Sequence, residues 1–283
     1  MALLAGKLDL IGAVPPRDTA QMARLPGLRL VRQAGTRLMY VALSQAQECA
    51  PGQPNPLRDR RVRQALSLAI DRDALASQVM DGSAVPTAQI VPPGRPSADP
   101  ALQPEAVDRA EARRLLQEAG LGGGLRPGLL GTTNRFVNDE QLLQALAQMW
   151  RQWASRWRWR RCPPPPSFTA ALSGWLLGPG EPNGFFTALL ATRDPARGRG
   201  SMNGTSHAEP RLDATVEEAI VTLDPDRLHA LGRAAARQAS REYVAFLPLF
   251  HQNSVRAMCH GITYDARAGG LTLAVDARQA EDP

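Results

Sequence analysis

The sequence predicts an α/β fold built around a mixed sheet. Segments with the apolar spacing of helices alternate with strand-like segments along the whole chain, and no repeat of fixed period is visible. The length of 283 residues, with 43% hydrophobic and 21% charged residues, is enough for two domains or for one large domain with a substantial core.

The first quarter of the chain predicts two strands followed by a pair of helices. Residues 8–14 and 28–43 are strand candidates, with a short polar helix candidate between them at 18–25. The segment 59–75, DRRVRQALSLAIDRDAL, then has apolar residues at the period of a helix that buries one face. Since the Asp71 carboxylate can accept backbone N–H bonds, we expect a second helix to begin directly after it.

The middle of the chain predicts a proline-rich surface segment and three further helices. Residues 86–100, PTAQIVPPGRPSADP, contain too many prolines for a helix or a central strand and are predicted to run over the surface. Capping patterns at Asp108, Asn138 and Asp224 predict that a helix begins after each. The second of these helices has an apolar stripe of Leu143, Leu146, Trp150, Trp153 and Trp157.

Charge distribution argues against a nucleic-acid partner. All basic residues except Lys7 are arginines, and the net charge of +6 is spread along the chain rather than concentrated in one patch. Residues 151–162 mix Arg and Trp, as nucleic-acid grooves and membrane-surface helices also do. The tryptophans of this segment continue the apolar stripe of the preceding helix, which favours core packing over a ligand platform.

Catalytic, metal-binding and cofactor-binding motifs are not recognisable. The three cysteines are far apart, without a C-x-x-C pair, so they indicate neither a disulfide framework nor a zinc site. His251, Cys259 and His260 lack a second cluster of ligands nearby in the sequence. The glycine-rich segment 120–128 lacks the phosphate-binding patterns, and no G-x-S-x-G motif occurs. We therefore expect no enzyme activity, no cofactor and no metal.

The first residues of the chain do not have the pattern of an export signal. MALLAGKLDLIGAVPP has no basic leading region and reaches Lys7 and Asp9 before any long apolar stretch. No window approaches the roughly 18 apolar residues of a membrane span. If this start is genuine, the expected location is the cytoplasm.

The segment around the paired helices resembles a known family. LRDRRVRQALSLAIDRDAL, Gly82 and VPTAQIVPPG together resemble the signature of family 5 extracytoplasmic solute-binding proteins, the peptide, dipeptide and nickel receptors of ABC importers. LAGKLDLIGAVPP and GTRLMYVALSQAQ before this block, and AEARRLLQEAGL, SGWLLGPGEPNGFFTALLAT, DPDRLHALGRAAAR, FLPLFHQNSVRAM and GITYDARAGGLTLAV after it, keep the family's order. The resemblance therefore extends over essentially the whole chain.

The resemblance implies a periplasmic-binding-protein-like (type II) fold with two lobes that close over a solute by hinge motion. Residues 46–250 would form the second lobe, and residues 1–45 and 251–283 would be a remnant of an incomplete first lobe. The helices at 59–75 would be scaffold rather than ligand contacts. The resemblance also implies a non-enzymatic, monomeric periplasmic protein that delivers peptides or similar small solutes to an inner-membrane ABC permease.

The resemblance further implies where the solute binds. Oligopeptide receptors of the family bind the ligand's ammonium through an aspartate shortly after a Gly-Trp pair, where this chain has Gly178. Segment 163–174, just before that pair, is shorter than in the family. The predicted cleft wall consists of apolar and polar residues, namely Trp175, Phe185, Glu181, Asn183 and Asn203. Each of these is alternatively a core or loop residue.

Three questions stay open at the level of the sequence. Glu181 either replaces the missing anchor, or the solute lacks an ammonium, or the site has decayed. A cytoplasmic ligand-sensing regulator domain of the same fold, or a truncated and inactive remnant, is an alternative to the importer component. The identity of the solute is not encoded in any motif that we recognise.

Overall fold

The computed structural model describes residues 2–50, 52–123, 125, 128–151, 158–161, 170–178, 182–265, 270 and 272–280. Eight α-helices occur in these ranges: α1 Pro16–Met22, α2 Arg60–Leu68, α3 Arg72–Ala74, α4 Arg109–Glu118, α5 Asp139–Trp150, α6 Asn183–Phe185, α7 Pro210–Val221 and α8 Pro225–Arg237. The strands are β1 Leu10–Ile11, β2 Leu28–Leu43, β3 Glu48–Ala50, β4 Gln53–Pro54, β5 Ala84–Pro86, β6 Gly128–Gly131, β7 Arg158–Arg161, β8 Ala170–Leu176, β9 Phe246–Cys259, β10 Ile262–Tyr264 and β11 Ala277–Gln279.

The largest sheet in the described part of the chain is mixed, as the sequence predicts. Its strand order is β1-β9-β2-β8-β6-β7, and β5 also pairs with β9. Strand β6 runs parallel to both β7 and β8, whereas β2 runs antiparallel to both β8 and β9. Two small antiparallel pairs, β3-β4 and β10-β11, lie outside this sheet. The predicted α/β class is confirmed.

The two long strands β2 and β9 connect different cores. The N-terminal part of β2 and the C-terminal part of β9 pack on a small cluster that contains Leu3, Val14 and Met22. The rest of both strands packs in two larger clusters. The β2-β9 register shifts between Gln33 and Arg37, and we call residues 35–37 and 252–255 the crossing region.

The two larger clusters lie on opposite faces of the sheet, because successive side chains of a strand point to opposite faces. Met39, Val41 and Leu43 of β2 belong to the cluster that also contains α2, α4 and α5. Leu38 and Tyr40 belong to the cluster beneath α6, α7 and α8. We call these two clusters, with the sheet and helices that form them, the larger unit. Residues 38–43, which the predicted division assigns to the first lobe, therefore pack with the larger unit.

Buried arginines hold the paired helices α2 and α3 against β9. Arg63 donates hydrogen bonds to the backbone carbonyls of Val244, Leu57, Arg58 and Tyr243. Arg72 donates to the Pro248 carbonyl and to the carbonyl and hydroxyl of Ser67. Burial lowers the pKa of each guanidinium to about 10. These contacts give the arginines of segment 59–75 a structural role.

Three of the four predicted helix caps are confirmed. The carboxylates of Asp71, Asp108 and Asp224 each accept a backbone N–H bond at the start of α3, α4 and α8. A helix does begin directly after Asn138, as predicted, but the expected cap bond is absent: Asn138 has φ of +54°, and its side chain donates instead to the Val79 carbonyl. In the predicted tryptophan stripe, Trp150 is fully buried, and residues 153 and 157 lie outside the described residues.

The proline-rich segment is not wholly a surface segment, contrary to the prediction. Residues 87–91 are all buried, and Ala88, Ile90 and Val91 pack in the cluster beneath α6, α7 and α8. The side chain of Gln89 exchanges hydrogen bonds with the backbone N–H and carbonyl of Asp99. The backbone N–H of Thr87 donates to the Leu249 carbonyl at 3.1 Å. Such bonds provide backbone partners to buried residues that belong to neither a helix nor a strand.

Candidate functional site

A cavity of about 240 Å³ lies at the crossing region. It is lined from three directions: by the loop after β1, by the crossing region itself, and by the loop before α5 together with the end of β8. The lining residues are Gly12, Ala13, Val14, Pro16, Gly35, Thr36, Arg37, Met80, Ser83, Arg135, Phe136, Val137, Leu176, Gln252, Asn253, Ser254, Val255, Gly270 and Thr272. The cavity therefore borders both the small core and the larger unit.

A buried carboxylate organises the loop before α5. Asp139 is 4% exposed and accepts hydrogen bonds from the backbone N–H groups of Asn134, Arg135 and Phe136 at 3.1–3.2 Å. It also accepts the hydroxyl of Thr132 at 3.0 Å. These four bonds hold Arg135 and Phe136 at the cavity, so this wall is preorganised.

The loop after β1 is fixed to β9 on the other side of the cavity. The backbone N–H of Val14 donates to the Val255 carbonyl at 3.0 Å. Ala13, at the cavity wall, has φ of +52°, a conformation that residues with a side chain rarely adopt. A strained non-glycine residue at a cavity wall is typical of functional loops.

Among the described residues that line the cavity, the charged ones are Arg37 and Arg135. The guanidinium carbons of Arg37 and Arg135 lie 5.8 and 5.4 Å from the ring centroid of Phe136, within the range of a cation–π contact. Burial, and next the positive charge of Arg135, lower the pKa of Arg37. The cavity is therefore electropositive and suited to anionic groups.

The inner wall of the cavity has unused hydrogen-bonding capacity. The hydroxyl of Ser83 and the side-chain carbonyl of Gln252 are buried and have no partner within the described part of the chain. Thr36, in contrast, donates its hydroxyl to the Leu177 carbonyl at 2.8 Å. Buried polar atoms normally have partners, so these two are unsatisfied groups behind the cavity surface rather than contacts open to a solute.

Comparison with known proteins assigns the chain to a family. The family model described as "Bacterial extracellular solute-binding proteins, family 5 Middle" matches residues 1–195. The chain belongs to this family. The resemblance noted in the sequence is thus confirmed, and the family is one of solute-binding proteins rather than enzymes.

Curated relatives of this family 5 chain are solute-binding proteins of greater length. Heme-binding protein A of Haemophilus influenzae is 26% identical over 234 residues, which cover 77% of this chain and 40% of that protein. Glutathione-binding protein GsiB of Salmonella typhimurium is 31% identical over 150 residues, which cover 52% of this chain and 28% of that protein. The chain spans less than half the length of these relatives.

Solved structures show the same fold. The periplasmic binding protein DppA from Helicobacter pylori, in complex with the peptide STSA, matches with a TM-score of 0.80 and 17% identity, covering 99% of this chain and 54% of that one. The oligopeptide-binding protein AppA from Bacillus subtilis, in complex with a nonapeptide, matches with a TM-score of 0.81 and 16% identity, covering 99% and 57%. The predicted periplasmic-binding-protein-like fold is confirmed.

The aromatic residues of the predicted cleft wall lie on the other face of the sheet from the cavity. Trp175 is half-buried and contacts Phe185 edge-to-face, with ring centroids 5.7 Å apart. Phe185 is 0% exposed and also packs on Tyr40 and Phe246. With no exposed surface, Phe185 offers a solute no contact in this arrangement. The solute-binding role of both residues stays a prediction.

The polar residues of the predicted wall have different surroundings. Asn203 is buried and organises its own loop: its amide donates to the carbonyls of Ala191 and His207, and its oxygen accepts from Thr205. Asn183 begins α6 and is half-buried. Glu181 lies outside the described residues. None of the four described wall residues lines the cavity.

Sequence reasoning missed the cavity residues for an identifiable reason. The neighbour of Trp175, Leu176, lines the cavity and pairs with Arg37 across β2 and β8. Residue type favours the tryptophan, but strand alternation places it on the opposite face. The one available signal for Arg135 and Phe136 was their position in the loop just before a predicted helix.

Two other structural findings bear on function. Across the described residues, no group of three or more His, Cys, Asp or Glu side chains is placed to bind a metal ion. Within the same ranges, no helix is both long enough and apolar enough to span a bilayer.

Proposed function

We propose that the chain is a solute-binding component of an ABC importer, or part of one, and that its solute is a peptide or a similar small molecule held in the cavity at the crossing region. The position of the cavity carries the proposal. It lies where β2 and β9 pass from the small core to the larger unit, and residues from both sides line it. A solute bound there would contact both units at once.

The proposed binding mode needs no chemistry beyond noncovalent contact. Phe136 and Leu176 provide apolar surface, while the guanidinium groups of Arg37 and Arg135 provide hydrogen-bond donors. Solute sites commonly combine apolar lining with a few such polar groups. The protein would release its solute unchanged to an inner-membrane permease, act as a monomer in the periplasm, and have no enzyme activity.

The crossing region is the proposed hinge between the lobes. A Cβ on Gly35 would lie 2.0 Å from the Gln252 carbonyl oxygen, so the two strands are in close backbone contact here. The register shift interrupts regular pairing at the same place. We place the boundary of the lobes at this point rather than at residues 45 and 250, because residues 38–43 pack with the larger unit.

A library screen with two aromatic variants tests the proposal. The 283-residue chain is screened by thermal shift against dipeptides, tripeptides and other small solutes, and calorimetry measures the dissociation constant of each hit. A solute that binds the folded state raises the melting temperature. We expect Phe136→Ala to weaken binding of the hit at least tenfold.

Trp175→Ala is the matched control, because Trp175 is also a half-buried aromatic residue but faces away from the cavity. We expect this variant to bind the hit with nearly unchanged affinity. Loss of binding in Trp175→Ala with retention in Phe136→Ala would place the solute on the originally predicted wall. A library without any hit would contradict solute binding by this chain.

A further inference from the structure

The cavity has a charge composition that restricts which solutes fit it. Arg37 comes from the crossing region and Arg135 from the loop before α5, so the two cations reach the cavity from different elements. No aspartate or glutamate is among the described residues that line it. A neutral solute would leave both cations uncompensated, and a solute with one anionic group would leave one.

The structure holds these two like charges at one site. Both guanidinium carbons lie within 6 Å of the centre of the Phe136 ring. The ring therefore offers a cation–π contact to each side chain. The bonds of Asp139 to the backbone of residues 134–136 fix the ring and one of the cations in place.

The positive charge of Arg135 acts on Arg37. Arg135 is the second cause, after burial, of the lowered pKa of Arg37. Arg37 is half-buried and Arg135 is exposed, and an anion that binds between their guanidinium groups would offset the repulsion that Arg37 experiences. Guanidinium groups match carboxylate and phosphate oxygens in geometry as well as in charge.

We propose that Arg37 and Arg135 select solutes that carry two negative charges, each arginine neutralising one of them. This inference rests on the proposed function and names the chemical class of its solute. The shared chemistry is that of paired carboxylates or a phosphate monoester.

Isosteric dipeptides test the selectivity directly. Ala-Asp and Ala-Asn have nearly the same shape, but Ala-Asp has a second carboxylate. We expect calorimetry on the 283-residue chain to give at least tenfold tighter binding of Ala-Asp, and an advantage that shrinks as salt is raised. Succinate and glycerol 3-phosphate are run in parallel, so that a free dicarboxylate or a phosphate monoester is distinguished from a peptide.

The variant Arg37→Gln is expected to reduce the ratio of the two dipeptide affinities to about one to two. Arg32→Gln is the matched control, because it removes one arginine from an exposed position on the same strand, outside the cavity lining. This control should keep the wild-type ratio. Arg37→Lys keeps the charge and should keep most of the selectivity, which separates a charge effect from a folding defect.

Several outcomes would overturn the inference. Equal affinity of the wild type for Ala-Asp and Ala-Asn would show that Arg37 does not bind the second carboxylate. An unchanged ratio of the two dipeptide affinities in Arg37→Gln would show the same. Failure of all the dianionic probes to bind, while a neutral or singly charged library solute binds and depends on Phe136, would overturn the inference and leave the proposed function intact. Absence of any solute would overturn both.

Discussion

The carboxylate of Asp139 should be essential for the stability of the cavity wall. Replacing Asp139 by Ala removes the acceptor of three backbone N–H bonds and one hydroxyl bond. An unsatisfied buried donor costs about 1–3 kcal/mol. Because Asn134 and Arg135 are exposed and Thr132 and Phe136 are half-buried, water can replace part of the lost bonding, and the lower end of that range, about 1 kcal/mol per bond, applies to all four donors. We therefore expect a loss of about 3–4 kcal/mol in the free energy of unfolding.

Urea denaturation followed by tryptophan fluorescence measures this loss. Glu140→Ala is the matched control, because Glu140 is in the same first turn of α5 and makes none of the bonds to the loop. The control loses only the interaction of a carboxylate with the helix N-terminus, about 0.5 kcal/mol. If Asp139→Ala and Glu140→Ala differ by less than about 1 kcal/mol, the carboxylate does not hold the loop as described.

Three further changes probe the scaffold, the hinge and the pH dependence. Arg72→Lys should lower the free energy of unfolding by about 2–4 kcal/mol, because one ammonium cannot replace the three bonds of the guanidinium. Gly35→Ala should cost about 2–4 kcal/mol, because the new Cβ would meet the Gln252 carbonyl oxygen. His207 has its pKa lowered by burial to about 4, so the unfolded chain takes up a proton at higher pH than the folded chain does. His207 should therefore contribute a fall of about 3 kcal/mol in stability between pH 6.5 and 4. Burial also lowers the pKa of His251 to about 4, so that residue contributes a similar fall, and His207→Gln should remove only about half of the combined loss.

Each of these changes has a control elsewhere in the chain. Arg109→Lys alters an exposed arginine and should be nearly neutral. Gly184→Ala adds a Cβ in α6 with no atom within 4 Å and should not destabilise the protein. His260→Gln alters an exposed histidine and should retain the fall in stability that His207 contributes. A control that behaves like its partner variant would contradict the corresponding contact.

Local sequence patterns predicted the strands and helices whose conformation is set by residues that are close together in the sequence. Strand β2 covers the predicted residues 28–43, and the helix caps at Asp71, Asp108 and Asp224 form as expected. The failed cap shows the limit of this reasoning. Asn138 fits the pattern, but the loop before α5 is closed by the neighbouring Asp139, whose partners lie three to seven residues upstream.

The candidate site could not be predicted from local patterns, because it depends on contacts between distant parts of the chain. Arg37 and Arg135 are brought together by the pairing of β2 with β8 and by the loop that follows β6. Choosing Leu176 over Trp175 as a cavity residue required knowing which face of the sheet holds the cavity. The buried residues 87–91 were missed similarly, because they are held by contacts with residues outside that stretch: the Gln89 side chain bonds the backbone of Asp99, and the backbone N–H of Thr87 donates to the Leu249 carbonyl.

The location of the bound solute is the central claim, and a crystal structure of the chain with a hit from the solute screen tests it most directly. We expect electron density for the solute at the crossing region, within hydrogen-bonding distance of Arg135 and of at least one residue of the segment 252–255. Solute density beside Trp175 and Asn183, with the crossing cavity unaltered, would contradict the claim.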